Sequence, residues 1–460
     1  MFFATMNFVA CLVSPSEAGW ERDLYVRGKS TSMKTKEGLF QLASHGSTMK
    51  GEVLAGSIGF FTIVYIVAIN ALILAEAGIP FEGAVFATIL ASFVGCLVMA
   101  FWANAPILIV PGMGINAMFT YTLVESMGFH WQEALSVVLV SGFAFMLIAF
   151  SSLAQRLNEA IPASLKEAIS VGLGLFLMLI GLEKGGLVVR GSDAIIALGD
   201  LSDLKVVATI LTLLFTLLLF LRGVRGDFLW SILFGTGLAF AFGILPQVEP
   251  SRLNLTPYGE VFGHFTFDQI AQFPFWVAVF SMTMVLVFEN LGLVQSHVSM
   301  AKQPEKYRKS LQATAVATFT SGLLGTSPTV ATVESTAAIA AGGRTGLTAL
   351  TTGILFLASI PLIPYMKWIP DSAIAPILIV IGILMVQNIR HIQLHDLTEA
   401  FPAIFIIVMI PFTYSIANGI AIGFIMYPIL KLVNGKGNEV SMPLYIVSSL
   451  FLLNFVLQYI

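Results

Sequence analysis

The chain has 460 residues, of which 57% are apolar (AVILMFWYC) and only 11% are Asp, Glu, Lys or Arg, and its mean hydropathy is +0.90. A soluble domain carries about 25% charged residues, so this composition indicates a polytopic membrane protein and leaves no room for a soluble catalytic domain. With a net charge of only −3, nothing points to a nucleic-acid partner. Cys11 and Cys96 lie far apart, which supports neither a disulfide framework nor a Cys-based metal site.

The first 47 residues carry little pattern. Residues 2–13 are apolar but short and lack a basic region before them, so they make a poor signal peptide. We interpret 1–47 as a variable or disordered extension, with Met33 as an alternative start. From Thr48 onward, apolar stretches of membrane-crossing length recur, although a further one at 441–459 is left open. We predict fourteen spans, at 52–74, 82–103, 113–127, 134–153, 164–182, 204–222, 227–245, 273–295, 309–323, 330–341, 346–366, 372–388, 398–413 and 416–433.

Loop charge tests this count, because Lys and Arg concentrate in cytoplasmic loops. With the amino terminus inside, fourteen spans place all but five of the 23 basic residues on the cytoplasmic side. The exceptions are Lys184, Arg190, Lys205, Arg252 and Lys367. An odd number of spans before any main cluster would scramble this pattern. We therefore predict that both ends of the chain lie in the cytoplasm.

Fourteen spans divide into two sets of seven, and an odd-numbered repeat has to place its second copy upside down in the membrane. The third and tenth spans hold equivalent positions in the two sets. Both are interrupted by short motifs, VPGMGIN at 110–116 and GTSPT at 325–329, and the second motif runs on to Glu334. Proline removes a hydrogen-bond donor and glycine relaxes the backbone, which frees peptide groups for a ligand. Discontinuous spans at matching positions predict a binding site near the midplane.

Two carboxylates lie deep inside predicted spans, Glu289 in VLVFENLGL and Glu334 in TVATVESTA. A charge at bilayer depth costs roughly 2.5–3.5 kcal/mol on insertion scales, so a deep carboxylate normally faces a cavity or a bundle interior. Desolvation favours the neutral form of such a group, which can then exchange a proton in the physiological range. The same group can accept hydrogen bonds from the N–H groups of a neutral heterocycle. Four other carboxylates sit near span ends and are expected to reach water or headgroups, at Glu52, Glu76, Glu82 and Glu183.

Each candidate residue also has a structural interpretation. Neighbouring Ser and Thr hydroxyls can satisfy Glu334, and Asn290 can satisfy Glu289. Asn116 follows Gly-Met-Gly at the start of a half-helix, where it caps the helix, offers its amide to a ligand, or does both. The amino termini of half-helices also carry partial positive charge suited to a polar ligand oxygen.

Three further features have ordinary explanations. His391 and His395 are spaced by one helical turn, but they lie in a short basic connection, so a solvated loop end is favoured over a metal site. The stretch 172–174, Gly-Leu-Gly, is not a nucleotide loop, because no strand precedes it and no Lys-Ser/Thr pair follows it. His297, near the end of the eighth span, is expected at the membrane interface.

Several stretches together make the chain similar to a known family. It resembles the AzgA-like purine permeases of the nucleobase/ascorbate transporter superfamily, and within them the bacterial guanine/hypoxanthine permeases. The resemblance covers about 48–435. It rests on GSIGFFTIVYIVAINALIL at 56–74, ANAPILIVPGMGINAMFTY at 103–121, IPASLKEAISVGLGLFLMLIGLEKGGLVV at 161–189, GLLGTSPTVATVESTAAIAAGGRTG at 322–346 and PFTYSIANGIAIG at 411–423.

The resemblance implies an all-α, proton-coupled purine symporter with two inverted seven-span repeats. Its core domain would comprise 48–153 and 246–366, its gate domain 154–245 and 367–435, and 436–460 would be an apolar carboxyl-terminal segment. The third and tenth spans would open as short antiparallel strands, with purine bound between them against the eighth span. Carried over by motif, Glu334 would bind the ring N–H groups, Asn116 would contribute from the third span, and Glu289 would be the acid of the eighth.

The eighth span departs from the family pattern, which reads roughly D-x-F-D-T-x-G-T-L. This chain has LVFENLGLV at 286–294. Leu286 therefore replaces the first acid, the longer Glu289 replaces the second, and both threonines are lost. Either Glu289 and Glu334 share ligand binding and protonation, or Glu334 alone carries the ligand.

The sequence thus predicts a transporter, not an enzyme, that takes up a 6-oxopurine, guanine or hypoxanthine, with a proton across the cytoplasmic membrane. Glu334 is expected to accept a hydrogen bond from N1–H and, in guanine, from the 2-amino group. The 6-oxo oxygen of the purine is expected to accept a hydrogen bond from the Asn116 amide or from the backbone amides around Val110, Gly112 and Thr329. The proton is the expected coupling ion, no cofactor is expected, and a homodimer is compatible with the sequence.

Alternatives stay open within and beyond this class. The substrate can instead be adenine, xanthine or another nucleobase. An anion carrier on the same fold would want a neutral or basic residue in place of Glu334. A channel would lack saturable, proton-dependent flux, and an enzyme would need paired catalytic groups at membrane depth, which the spans do not offer.

Overall fold

The computed structural model describes residues 39–191, 196–246 and 256–458, and these are mostly helical. Residues 39–47 form turns before the first helix, whereas the rest of the predicted extension, with Met33, lies outside the described residues. The first half contains α1 Met49–Ile63, α2 Tyr65–Glu76, α3 Phe81–Val98, β1 Ile109–Pro111, α4 Met113–Ala117, α5 Trp131–Phe150, α6 Leu153–Ala160, α7 Ala163–Lys184, β2 Val188–Val189, β3 Ala197–Leu198, α8 Leu204–Leu221 and α9 Asp227–Ala241.

The second half repeats the order of the long elements. It contains α10 Thr256–Gly259, α11 Phe273–Met300, α12 Tyr307–Leu324, β4 Thr329–Ala331, α13 Ser335–Ala340, α14 Gly346–Ala358, α15 Ile363–Met366, α16 Asp371–Val386, α17 Leu397–Thr413, α18 Ile416–Val433 and α19 Met442–Gln458. Two segments are π-helical, Met99–Ala103 after α3 and Met118–Ser126 after α4.

Membrane-crossing helices dominate the described residues. Nine helices there are long and apolar enough to cross a membrane by themselves, and Asp227–Ala241, Leu397–Thr413 and Met442–Leu453 are shorter apolar helices. The ninth predicted span is α12, which is rich in Ala, Ser and Thr, and the third and tenth are each a short strand followed by a short helix. The element order therefore gives the two sets of seven expected from the sequence.

The two broken spans meet each other. β1 pairs antiparallel with β4, with Ile109 opposite Ala331, Val110 opposite Val330 and Pro111 opposite Thr329. Since each strand leads into a half-helix, the antiparallel pairing sends α4 and α13 away in opposite directions, as inverted copies require. A second pair, β2 with β3, closes the connection between α7 and α8 and was not predicted.

The helices pack as two groups. The first helix group consists of α1 to α5 and α11 to α14, in which α3 contacts α2, α12 and α14, and α5 contacts α11 and α12. The second helix group consists of α7 to α9 and α16 to α18, in which α7 contacts α16, α17 and α18. The α7–α16 crossing uses the Gly-Leu-Gly stretch at 172–174. A Cβ on Gly174 would lie 2.7 Å from the carbonyl oxygen of Gly382, so this glycine serves close helix packing.

Polar contacts mark one end of the bundle and explain three exceptions to the loop-charge rule. Lys184 forms an ion pair with Glu76, and Lys367 Nζ lies 2.7 Å from Glu82 Oε1. Lys205 Nζ lies 3.4 Å from Asp371 Oδ2. A carboxylate therefore accompanies each of these lysines on the predicted outer side.

The opposite end joins the loops predicted to be cytoplasmic. Gln303 Nε2 donates to the Arg344 carbonyl oxygen at 2.9 Å, and Lys306 donates to the Asn104 carbonyl oxygen. The two sets of contacts place these connections at opposite ends of the bundle; which end faces the cytoplasm stays a prediction.

Two sequence expectations at this end were wrong. Glu52 is 0% exposed instead of reaching water. It accepts hydrogen bonds from the backbone amides of Arg344 and Thr345 at 3.0 and 3.2 Å and from Thr348 Oγ1 at 2.5 Å, so it caps the start of α14. His297 is 1% exposed, because it faces the protein instead of the membrane interface. His391 and His395 are exposed, as expected for a solvated loop end.

The apolar segment left open by the sequence is the helix α19, which packs against α18 and α11. Ser448 Oγ donates to the Phe424 carbonyl oxygen of α18 at 2.5 Å. Phe451 is 2% exposed and packs edge-on against Phe280 of α11 and Phe424, with ring centroids 5.1 and 6.0 Å apart. α19 thus covers the seam between the two helix groups beside α18.

Candidate functional site

The centre of the candidate site is the β1–β4 pair with the half-helices that follow it. The Gly112 amide donates to the Pro328 carbonyl oxygen at 3.1 Å and extends the pairing beyond the strand. A Cβ on Gly112 would lie 2.6 Å from Val330 Cγ2, so only glycine permits this approach. Proline at 111 and 328 and glycine at 112 and 325 therefore fold the two motifs into crossing strands instead of continuous helix.

Two buried asparagines hold the strand pair in place. The sequence assigned no role to Asn70 and indicated Asn290 only as a partner for Glu289. Asn70 in α2 donates to Thr88 Oγ1 at 2.7 Å and to Thr326 Oγ1 at 3.0 Å, and accepts from Ser327 Oγ at 2.9 Å. Asn290 in α11 accepts from the Ala331 amide at 3.0 Å and donates to the Leu286 carbonyl oxygen at 2.7 Å. The signal for both was a polar amide within an apolar run.

Asn116 differs from these two asparagines in its hydrogen bonding. Its side chain is 0% exposed, and neither Nδ2 nor Oδ1 has a hydrogen-bond partner among the described residues. The N-cap of α4 is Gly112, without a side-chain capping bond, so Asn116 does not cap the helix. A buried amide without partners costs free energy, which is usual only where a ligand or another group satisfies it.

Glu334 lies at the start of α13, in the turn after β4, and is half-buried. Tyr65 Oη donates to Glu334 Oε1 at 2.5 Å. The hydroxyl of neighbouring Thr332 is buried and is the other side-chain donor near the acid. Ser335 Oγ, a candidate to satisfy the acid, accepts instead from the Leu108 amide at 3.0 Å. A carboxylate has about four acceptor positions, so Glu334 keeps room for the donors of a ligand beside the bond from Tyr65.

Glu289 occupies the facing helix α11 and is also half-buried. Its Oε2 is buried and has no hydrogen-bond partner among the described residues. Asn290 does not satisfy it, because both ends of that amide are engaged by Ala331 and Leu286. The structural explanation considered for Glu289 is therefore wrong.

The remaining predicted residues line the strand pair. Val110 is 0% exposed and pairs with Val330. The Gly112 amide is engaged by Pro328, and the Thr329 amide donates to Ser321 Oγ at 3.4 Å. Thr329 Oγ1 is buried without a partner among the described residues. A part for these residues in ligand binding stays a prediction, which for Thr329 is better supported by the hydroxyl than by the amide.

A family model described as the permease family matches residues 50–434. The chain belongs to this permease family. Among relatives, it is 48% identical to the "Nucleobase transporter PlAzg2" of Paenibacillus larvae over 83% of this chain and 77% of the relative. It is 39% identical to the "Guanine/hypoxanthine permease PbuO" of Bacillus subtilis over 89% of this chain and 97% of the relative. The AzgA-like resemblance read from the motifs is thereby confirmed.

Solved structures support the fold of this permease. It superposes on the transmembrane domain of a cyanobacterial bicarbonate transporter, BicA, with a TM-score of 0.63. The two chains are 14% identical, and the match covers 81% of this chain and 97% of the other. At this identity the likeness concerns the fold alone.

Two polar contacts join the two helix groups of the permease at the end that carries Glu76. Glu76 pairs with Lys184 of α7 and accepts from Tyr121 Oη at 2.7 Å. The Ile416 amide of α18 donates to Thr122 Oγ1 at 3.1 Å. The two helix groups are therefore joined above the strand pair on the predicted outer side.

Toward the other end, an exposed polar stripe leads away from Glu289 along α11. Gly292, Ser296 and Ser299 follow it at helical spacing, and all three are exposed. Val333, beside Glu334, is 57% exposed. Small and polar exposed residues at this depth line an aqueous path more readily than a lipid contact, since lipid-facing positions favour large apolar side chains. A row of small, exposed residues thus runs from Glu289 along α11 toward the end of the bundle that carries Lys306 and Arg344.

Proposed function

We propose that this permease is a secondary active transporter that imports a purine nucleobase, guanine or hypoxanthine, together with a proton across the cytoplasmic membrane. The observation that carries the proposal is the buried amide of Asn116, which follows one of the two paired strands and has no partner among the described residues, together with the carboxylate of Glu334, which follows the other strand. The names of its relatives, a nucleobase transporter and a guanine/hypoxanthine permease, support the substrate class.

A 6-oxopurine matches this set of open polar groups. N1–H donates to Glu334, and in guanine the 2-amino group donates to the same carboxylate. The 6-oxo oxygen accepts a hydrogen bond from Asn116 Nδ2, and the Thr329 hydroxyl offers a further contact. A site built to hydrogen-bond specific donors rejects analogues that lack them, because its buried polar groups are then left unpaired. This is how a small, neutral heterocycle with several hydrogen-bonding groups is selected.

Proton coupling follows from the second acid. Glu289 Oε2 is buried without a partner among the described residues, and an isolated carboxylate anion in such a place is costly. A proton on Glu289 removes that cost, and release toward the polar stripe of α11 restores the anion. With the first acid of the family pattern replaced by Leu286, Glu289 and Glu334 carry the two tasks between them.

Transport requires the site to face each side in turn. We assign the first helix group to the core domain, 48–153 and 246–366, and the second to the gate domain, 154–245 and 367–435. The Glu76–Lys184 pair closes the outer side, and the polar stripe of α11 opens the inner one. Elevator or rocking movement of core against gate would exchange the two arrangements. The amino end and the loop at 434–441 would face the cytoplasm.

An anion carrier is not favoured, although the bicarbonate transporter shares the fold. An anion would have to approach Glu334 and Glu289, and like charges in a low-dielectric site repel strongly. Adenine, xanthine and other bases differ from guanine in the donors and acceptors they present, so a competition experiment separates them.

The test is uptake of labelled hypoxanthine by cells that lack their own purine uptake and express the permease. Unlabelled guanine and hypoxanthine should compete, whereas uracil and bicarbonate should not. A protonophore should remove accumulation. Uptake that ignores purine competitors would contradict the substrate class, and accumulation that survives the protonophore would contradict proton coupling.

A further inference from the structure

Tyr65 donates a hydrogen bond to Glu334 although the two residues lie 269 positions apart in the sequence. It is the first residue of α2, directly after the interruption at Val64 that separates α1 from α2. The α1–α2 span runs over Met49–Glu76, so Tyr65 stands near its middle. Its side chain is 3% exposed. The phenol is therefore brought to the depth of the strand pair by the first span.

The Tyr65 phenol donates a hydrogen bond to Glu334. Its Oη lies 2.5 Å from Glu334 Oε1. A hydrogen bond from an O–H group to an ionised carboxylate is roughly twice as strong as one between neutral groups. The contact fixes one of the two oxygens of Glu334. A carboxylate has about four acceptor positions, so the acid can still accept from a ligand at Oε2.

The other face of Tyr65 touches the second helix group. Phe228 of α9 packs edge-on against the tyrosine ring, with centroids 5.0 Å apart and an interplanar angle of 73°. Phe228 is 5% exposed and directly follows the start of α9 at Asp227. The ring of Tyr65 is thus held by packing, and this leaves the hydroxyl with a defined direction toward the acid.

We propose that Tyr65 is the positioning residue for Glu334 and contributes to the choice among purines; this rests on the proposed purine transport. With Oε1 held by the phenol, Oε2 accepts in a fixed orientation from N1–H, the one donor on that edge of hypoxanthine. Guanine presents two adjacent donors, N1–H and the 2-amino group, and can itself align both oxygens of the acid. Hypoxanthine therefore depends more on Tyr65 than guanine does.

The test is the Tyr65→Phe variant, which removes one oxygen and keeps the ring and its contact with Phe228. We expect the KM for hypoxanthine uptake to rise by about tenfold, the loss typical of a hydrogen bond to a charged group, with Vmax per transporter nearly unchanged. The KM for guanine should rise less, so that the preference for hypoxanthine over guanine falls. Labelled hypoxanthine binding to the purified variant in detergent should weaken by the same factor, which gives the result even if membrane levels fall.

The matched control is Tyr427→Phe. Tyr427 Oη also donates to a buried carboxylate, Glu399 Oε1 at 2.7 Å, but in the second helix group away from the strand pair. The Tyr427→Phe variant should leave the KM values for hypoxanthine and for guanine unchanged. A Tyr65→Phe variant with wild-type KM for both purines, or a Tyr427→Phe variant with the same KM rise, would overturn the inference. If the wild-type protein itself transports no purine, it is the proposed function that fails.

Discussion

Replacing Asn116 by leucine separates ligand binding from structure at the site. The side chain is 0% exposed, and both polar atoms lack partners among the described residues. A buried polar group left unsatisfied costs about 1–3 kcal/mol, and an apolar side chain of similar shape removes that cost. Asn116→Leu should therefore stabilise the ligand-free protein while it removes the hydrogen bond from Nδ2 to the purine.

The size of both effects follows from the structure. Unfolding entropy of about 2.1 cal/mol/K per residue gives about 1 kcal/mol/K for 460 residues, so the melting temperature without ligand should rise by about 1–3 °C. One lost hydrogen bond at about 0.5–1.5 kcal/mol should raise the KM for hypoxanthine by about twofold to tenfold. Greater stability with weaker transport is the expected signature.

Asn70→Leu is the matched control, because Asn70 is equally buried but makes three hydrogen bonds to Thr88, Thr326 and Ser327. It should lower the melting temperature by about 3 °C or more, at about 1 kcal/mol for each bond. The assay is thermal denaturation of the purified variants with and without hypoxanthine, beside uptake in cells. If Asn116→Leu lowers stability as Asn70→Leu does, Asn116 is structural and our reasoning is refuted.

Three further predictions each test one polar contact of the permease. Asn290→Ala removes the acceptor of the Ala331 amide and should cost about 1–3 kcal/mol of stability together with most uptake; an unchanged melting temperature would show that β4 does not depend on this bond. Lys184→Met removes the cation that pairs with Glu76. If that pair closes the outer side, a cysteine introduced at Thr122 should react faster with an external thiol reagent in this variant than in the protein with Lys184. Equal reaction rates would argue against an outer closure. Hydrogen bonds from Thr398 lower the pKa of Asp396 from 3.8 to about 2. The contribution of this carboxylate to stability is therefore complete above about pH 4 and is lost as the pH falls through 2. In a plot of melting temperature against pH, Asp396→Asn should remove the decline over this range.

The spans and the broken motifs could be predicted from the sequence because their causes are local. Apolar runs of span length, proline at 111 and 328, and the acids Glu289 and Glu334 all show in short windows of sequence. Matching positions in the two halves then predicted that the third and tenth spans meet. The β1–β4 pairing confirms the short strands.

The supports of the site could not be predicted, because each is a contact between distant segments. Tyr65 reaches Glu334 across 269 positions, and Asn290 fixes Ala331 across 41. Glu52 lies near a span end, where water was expected, yet the start of α14 folds over it. Composition shows that a polar residue is present in a span, but only the packing shows which partner satisfies it.

Uptake of labelled hypoxanthine by the Glu334→Gln variant tests the central claim most directly. Glutamine keeps the shape of the side chain but loses the charge and turns an amide donor toward the purine N–H. We expect uptake to fall by at least about a hundredfold, since a site built around one acceptor rejects the mismatched pair. The variant should remain in the membrane at the wild-type level, and Glu260→Gln, at an exposed loop position, should transport normally. Full uptake by Glu334→Gln would contradict the assignment of Glu334 as the purine acceptor.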